Sequence, residues 1–222
     1  MSEAAPGLPD SPDFATPERA RLADGVRALI DAVMTAEVDD PAILLEVAAA
    51  AERLAARLGG GREDGPGYRP RSHGDYLPRS PVVGHASPLA PRVEWEESDA
   101  AIDGRPGVEA HGTIGAPYEG PPGYVHGGMI ALAFDEVLGI ANIAAGSPGM
   151  TARLIVHYRQ PTPLFRELQF RAALDRVEGR RIMSRAQVWD GDTLTAEAEG
   201  LFVQPRPERA LEIFGPGAEN PA

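Results

Sequence analysis

Asp135 stands in the middle of a run that is apolar nearly all round at helical spacing, through Met129, Ile130, Leu132, Ala133, Phe134, Val137, Leu138, Ile140 and Ala141. A carboxylate there is costly to bury without a partner. Chains keep such a group where it pairs, or where it works as a base or nucleophile. The plainer alternative is a structural hydrogen bond from Asp135, with Glu136 as a solvated neighbour. Immediately before the run comes His126-Gly127-Gly128. A helix that starts on glycines leaves its first N–H groups open to a carbonyl, and its dipole favours negative charge developing there. Either Gly127 or Gly128 could supply that N–H, although a glycine pair also suits a tight loop-to-helix turn with no chemistry attached. His126 could cap the helix, orient the loop, or hydrogen-bond a carbonyl or a water.

Eight residues separate Gly127 from Asp135, which is about 12 Å along a helix axis. One helix does not easily bring both to a single carbonyl. Two antiparallel copies of the helix do, and each then gives the other an apolar face to bury against. The expectation is a homo-oligomer with equivalent sites, either a homodimer or a homotetramer built as a dimer of dimers.

The elements that must hold these residues follow from patterning. Val93, Trp95 and the stretch from Val108 to Ile114 alternate like two strands across the turn-prone Asp103-Gly104-Arg105-Pro106-Gly107. The loop Glu119-Gly120-Pro121-Pro122-Gly123 leads into the helix. Behind it Leu154, Val156 and Tyr158 alternate with Arg153, His157 and Arg159, and three more strand-like runs fall at about residues 167–175, 181–189 and 193–203. Glu178-Gly179 and Asp190-Gly191-Asp192 are hairpin signals between them. Two strands, one buried helix and a four-strand meander imply an α+β fold, a curled antiparallel sheet around a single helix.

Ahead of this unit, residues 1–59 read as a helical hairpin. Thr16-Pro17 and Asp40-Pro41 are cap-plus-proline starts; Leu22, Val26, Leu29, Ile30 and Val33 form one stripe, and Leu44, Val47, Ala51, Leu54 and Leu58 another. Residues 60–91 are a Pro/Gly-rich linker that can lie across the next unit. Residues 92–205 make the sheet-and-helix domain, and 206–222 a C-terminal tail.

Inventory removes several chemistries. The 222 residues contain no cysteine, and all 21 basic residues are arginine, so cysteine nucleophiles, thiolate metal sites and lysine Schiff bases are out. His73, His85, His111, His126 and His157 occupy unlike contexts with no ligand spacing, so no metal and no cofactor is expected. A net charge of −12 argues against a nucleic-acid partner. The acidic, small-residue start and the lack of a long apolar run give an expectation of a cytoplasmic protein without a membrane partner.

The ordered set Pro122-Gly123-Tyr124-Val125-His126-Gly127-Gly128, Asp135 nine positions past the histidine, Thr151 sixteen past the aspartate, and Tyr158-Arg159-Gln160-Pro161 resembles the hotdog-fold thioesterase superfamily, in its phenylacetate-pathway-type (PaaI-like) branch. The likeness covers about residues 80–204 and leaves the N-terminal hairpin outside. It implies hydrolysis of acyl-CoA thioesters, with Asp135 activating water or attacking the thioester carbon, Gly127 or Gly128 as oxyanion donor, His126 at the carbonyl or loop, and Thr151 helping to hold the water. Arg153, Arg159 and Arg166, on and after the strand leaving Thr151, are candidates for the coenzyme A phosphates, though arginines on an exposed face often only solvate it. Tyr118, Tyr124 and Phe134 would suit an aryl or medium-chain acyl group. Many relatives carry an asparagine six residues before the histidine, where this chain has Gly120. A hotdog hydratase is disfavoured because its usual Asp followed by His in a hydration loop is not found. A non-catalytic acyl-CoA-binding or regulatory hotdog protein is the other reading, which Asp135 and Thr151 weigh against.

Overall fold

The structure, a computed structural model, describes residues 16–58, 77–206 and 209; most of the linker, His73 and nearly all of the C-terminal tail lie outside them. Both N-terminal helices form at their proline starts. In α1 (Pro17–Thr35) the Thr16 hydroxyl caps by accepting from the Arg19 N–H, and in α2 (Pro41–Arg57) Asp40 accepts from the Ala42 N–H at 2.9 Å. What they bury differs from what their stripes suggest. α1 turns Ala23 and Arg27 towards the body, where the Arg27 guanidinium donates to the carbonyls of Ala90 (2.8 Å) and Ser87 (3.0 Å). α2 buries no side chain, and Leu44, Val47, Leu54 and Leu58 remain exposed. Its alanine-rich sequence and its cap favour the helix, and among the described residues it packs closely on none.

The sheet has six antiparallel strands: β1 (Arg92–Ile102), β2 (Arg105–Thr113), β3 (Met150–Tyr158), β4 (Glu167–Glu178), β5 (Arg181–Asp190) and β6 (Thr193–Val203), in the order β1-β2-β4-β5-β6-β3. β4, β5 and β6 are joined by tight turns whose glycines, Gly179 and Gly191, adopt positive φ. β3 lies at the edge, paired only with β6, so the chain leaving the helix crosses to the far side of the sheet before the meander returns.

The long helix α3 (Gly127–Ala144) fills the concave face and packs on β2, β3, β4, β5 and β6. The meander strands alternate as expected: Ile182, Ala186 and Val188 of β5 and Ala196, Ala198 and Phe202 of β6 are buried towards it. Phe134 meets Phe170 edge to face at 6.5 Å between ring centroids. Each large core side chain of this kind contributes about 1.5–3 kcal/mol by leaving water. Residues 77–91 close the core: Val82 is fully buried, held by the Ser80 hydroxyl, which accepts from the N–H groups of Val82 and Val83. This is the hotdog fold, α+β, with added N-terminal helices.

Candidate active site

The loop before α3 is held from three sides. His126 N–H donates to the Tyr118 carbonyl (2.8 Å), Val125 N–H to that of Thr162 (2.9 Å), and Gly120 N–H to that of Tyr124 (2.9 Å). The Glu119 carboxylate accepts from Gly123 N–H at 2.6 Å. Gly120 and His126 are thereby pressed together, and a Cβ on residue 120 would lie 2.8 Å from His126 Cα. An asparagine, which the resemblance leads one to expect there, has no room on this backbone.

His126 is the N-cap of α3. Its Nδ1 accepts from the Gly128 N–H at 2.9 Å, and its carbonyl accepts from Met129 and Ile130. Two consequences follow. Because Nδ1 is an acceptor, the neutral ring carries its proton on Nε2, which becomes a donor; this tautomer is assigned from the hydrogen bond. Gly128 N–H is occupied, whereas Gly127 N–H has no acceptor among the described residues. Of the two donors the sequence left open, Gly127 is the one the fold leaves unoccupied. The Gly127 carbonyl in turn accepts from the Tyr158 hydroxyl at 2.8 Å.

Two turns further along α3, Asp135 is half-buried, and its Oδ1 accepts from the Thr151 hydroxyl on β3 at 2.7 Å. The structure therefore brings together two pairs, His126 with Gly128 and Asp135 with Thr151, at different heights along one helix. Gly128, Leu132, Asp135, Gly139 and Ile143 share a stripe of α3 that the sheet does not cover; Leu132 is 40% and Ile143 53% exposed.

One neighbour is placed differently from the sequence reading. Glu136, the supposed solvated neighbour, is the buried carboxylate, with 7% exposure. The signal was present, because Met129, Ala133 and Ile140 sit seven and three residues before it and four after, on one buried face. Each of the three arginines considered for the coenzyme A phosphates has a definite place. Leu154 and Val156 pack on the core, so Arg153 points to the opposite face of β3, into an outer groove it shares with Asp175, Arg176, Arg181, Arg185 and Glu199. Arg159 pairs with Glu197, and Arg166 with Asp190 at 2.8 Å. Tyr124 is exposed on the loop, whereas Phe134 is wholly in the core and cannot line an open site without movement of the sheet. Tyr118 is partly buried, with its hydroxyl donating to the Leu89 carbonyl; burial raises its pKa above the ordinary tyrosine value, the nearby Arg27 lowers it and Asp31 raises it.

The sequence profile of the thioesterase superfamily matches residues 122–197. A solved structure described as a thioesterase superfamily protein is 33% identical, with a TM-score of 0.73, over 89% of this chain and 95% of that one. Among curated proteins, acyl-coenzyme A thioesterase THEM4 of Bos taurus is 37% identical over 99 residues, 43% of this chain and 40% of that protein. The Mus musculus THEM4 is 36% identical over 99 residues, 44% and 43% of the respective chains. The chain thus spans about two fifths of the length of these curated relatives.

Proposed function

This chain belongs to the thioesterase superfamily, and from that premise we propose that it hydrolyses acyl-CoA thioesters to the free acid and coenzyme A, as a PaaI-like enzyme. The observation that carries the reading is the Asp135–Thr151 pair, a carboxylate oriented by a hydroxyl on the one stripe of α3 that the sheet leaves open. The curated relatives are themselves named acyl-coenzyme A thioesterases.

In the general-base form, Asp135 takes a proton from water as the water oxygen bonds to the thioester carbon, and Thr151 holds the carboxylate in line. Negative charge then develops on the carbonyl oxygen, where Gly127 N–H and the Nε2–H of His126 are the available donors. A donor of this kind is worth about 2.7–4 kcal/mol of barrier. Collapse breaks the C–S bond, and the thiolate leaves with the proton returned through Asp135. In the nucleophilic form Asp135 bonds to the carbon itself, expels the thiolate, and the resulting anhydride is hydrolysed.

Gly127 and Asp135 are too far apart on one helix to share a carbonyl, so the reading includes a homodimer in which Gly127 of one subunit faces Asp135 of the other. The uncovered stripe with Leu132 and Ile143 is the surface such a partner would bury. Whether two dimers then pair into a tetramer is a further step of the same kind.

Thiol release from short, medium, long and aryl acyl-CoAs, measured on wild type and Asp135→Asn, tests the proposal. Saturable release that falls by orders of magnitude in the variant supports it. Binding of acyl-CoA without turnover on any substrate would replace it with the acyl-CoA-binding reading.

A further inference from the structure

The three polar groups at the start of α3 form a single relay, and its outer member is Tyr158. The Tyr158 hydroxyl donates to the carbonyl of Gly127 at 2.8 Å. That carbonyl belongs to the same peptide unit as the Gly128 N–H, which donates to His126 Nδ1 at 2.9 Å. The tyrosine ring seats against Gly127, where an added Cβ would meet Cζ and Oη at 3.3 Å. Tyr158 is 53% exposed, so water could satisfy its hydroxyl, and burial does not require this bond.

We infer that Tyr158 is a positioning residue for the carbonyl-binding end of the site, acting on His126 through the peptide that joins Gly127 to Gly128. A donor at the carbonyl and an acceptor at the N–H polarise one peptide from both ends, which strengthens both bonds. The effect on His126 is specific. A stronger Gly128 N–H holds Nδ1 as an acceptor, keeps the ring proton on Nε2, and fixes the ring plane. The Tyr158 ring also seats against Gly127, whose own N–H is the open donor. Position 120, packed against His126, has no space for a side chain that could donate there, so the orientation of His126 carries more of the task. In the dimer of the proposed function, β3 of one subunit thereby supplies Thr151 to the carboxylate of one site and Tyr158 to the carbonyl-binding loop of the other.

The inference rests on the thioesterase reading for its catalytic part and on geometry alone for its effect on His126. Tyr158→Phe keeps the ring and removes only the hydroxyl. In the full chain, with imidazole nitrogen-15 resonances recorded at about pH 8, where an ordinary histidine is neutral, wild-type His126 is expected as the Nε2–H tautomer. In the variant its nitrogen shifts move towards the tautomer average, while those of His111 on β2 stay in place. In thiol release, kcat falls about fivefold to tenfold, as for loss of one hydrogen bond, with KM within about twofold. Unchanged His126 shifts in the folded variant would overturn the relay whatever the kinetics. A change confined to KM would overturn the positioning role, because Tyr158 would then be touching substrate. If wild type turns over no acyl-CoA, the proposed function fails by itself, and the imidazole shifts still decide the relay.

Discussion

The hydroxyl of Thr151, on the edge strand β3, donates across 2.7 Å to Oδ1 of Asp135 in the middle of α3. One carboxylate oxygen is thereby fixed, and in the proposed reaction the other meets a water or the thioester carbon. Asp135→Asn should lower kcat by about 10²–10⁴-fold, the range for a lost general base. Thr151→Val, nearly isosteric, should lower it about tenfold through loss of one charge-assisted bond. Because the two side chains act as one unit, the double variant should be little worse than Asp135→Asn alone. Independent, multiplicative losses in thiol release would contradict the pairing.

His126 Nδ1 caps the helix, and in the proposed reaction its Nε2–H donates to the carbonyl oxygen, so the two duties can be separated. His126→Ala should cost about 1 kcal/mol of stability through the lost cap, together with most of the activity. His126→Asn, whose side-chain oxygen can cap, should recover the thermal midpoint and leave activity low. Recovery of both in the asparagine variant would mean that the ring matters only as a cap.

Gly120 is required by the approach of His126, whose Cα would be 2.8 Å from any Cβ there. Gly120→Ala and Gly120→Asn should both destabilise by about 1–3 kcal/mol, the usual cost of overpacking. They should also lower kcat, because the cap residue is displaced. The asparagine variant adds a polar side chain where this backbone leaves no room, so higher activity from it would show that the loop can open to receive it.

Tyr118 gives a pH dependence with a definite sign. Burial disfavours the phenolate and raises the folded-state pKa above 10.0, with Arg27 opposing the shift and Asp31 adding to it. The folded chain therefore holds this proton more tightly than the unfolded chain. The associated stability is complete below the unfolded value, about 10, and is lost as pH rises through the folded value. Urea midpoints of wild type and Tyr118→Phe, compared at about pH 8 and about pH 11, should converge or cross as pH rises. A constant difference across that range would mean that the phenol is solvated.

Much of the scaffold was legible because its signals are local. The apolar run after His126-Gly127-Gly128, the alternation in β4, β5 and β6, and the turns at Gly179 and Gly191 each depend on residues within a few positions of one another. The cap-plus-proline starts at Thr16 and Asp40 located α1 and α2 for the same reason. Burial of particular polar groups was less legible. Asp135 and Glu136 are adjacent in sequence, yet a rotation of 100° places one on the open stripe and the other in the core. The spacing of Met129, Ala133 and Ile140 put Glu136 on their face, but in a helix apolar nearly all round it is the position of the sheet that turns that face inward.

By itself, then, the chain determined its element order, the all-round apolar helix, and the chemical inventory of Asp135, Thr151, His126 and two glycines without cysteine or lysine. Tertiary structure decided the pairings. It selected Gly127 over Gly128 as the open donor by turning the His126 ring back onto Gly128, joined Thr151 to Asp135 and Tyr158 to Gly127 through the crossing of β3 to the sheet edge, and spent Arg159 and Arg166 on Glu197 and Asp190. The physical reason is range. Periodicity and capping are written over three or four neighbouring residues, whereas each of these contacts except the His126 cap spans sixteen residues or more, and its geometry exists only once the sheet has closed around the helix.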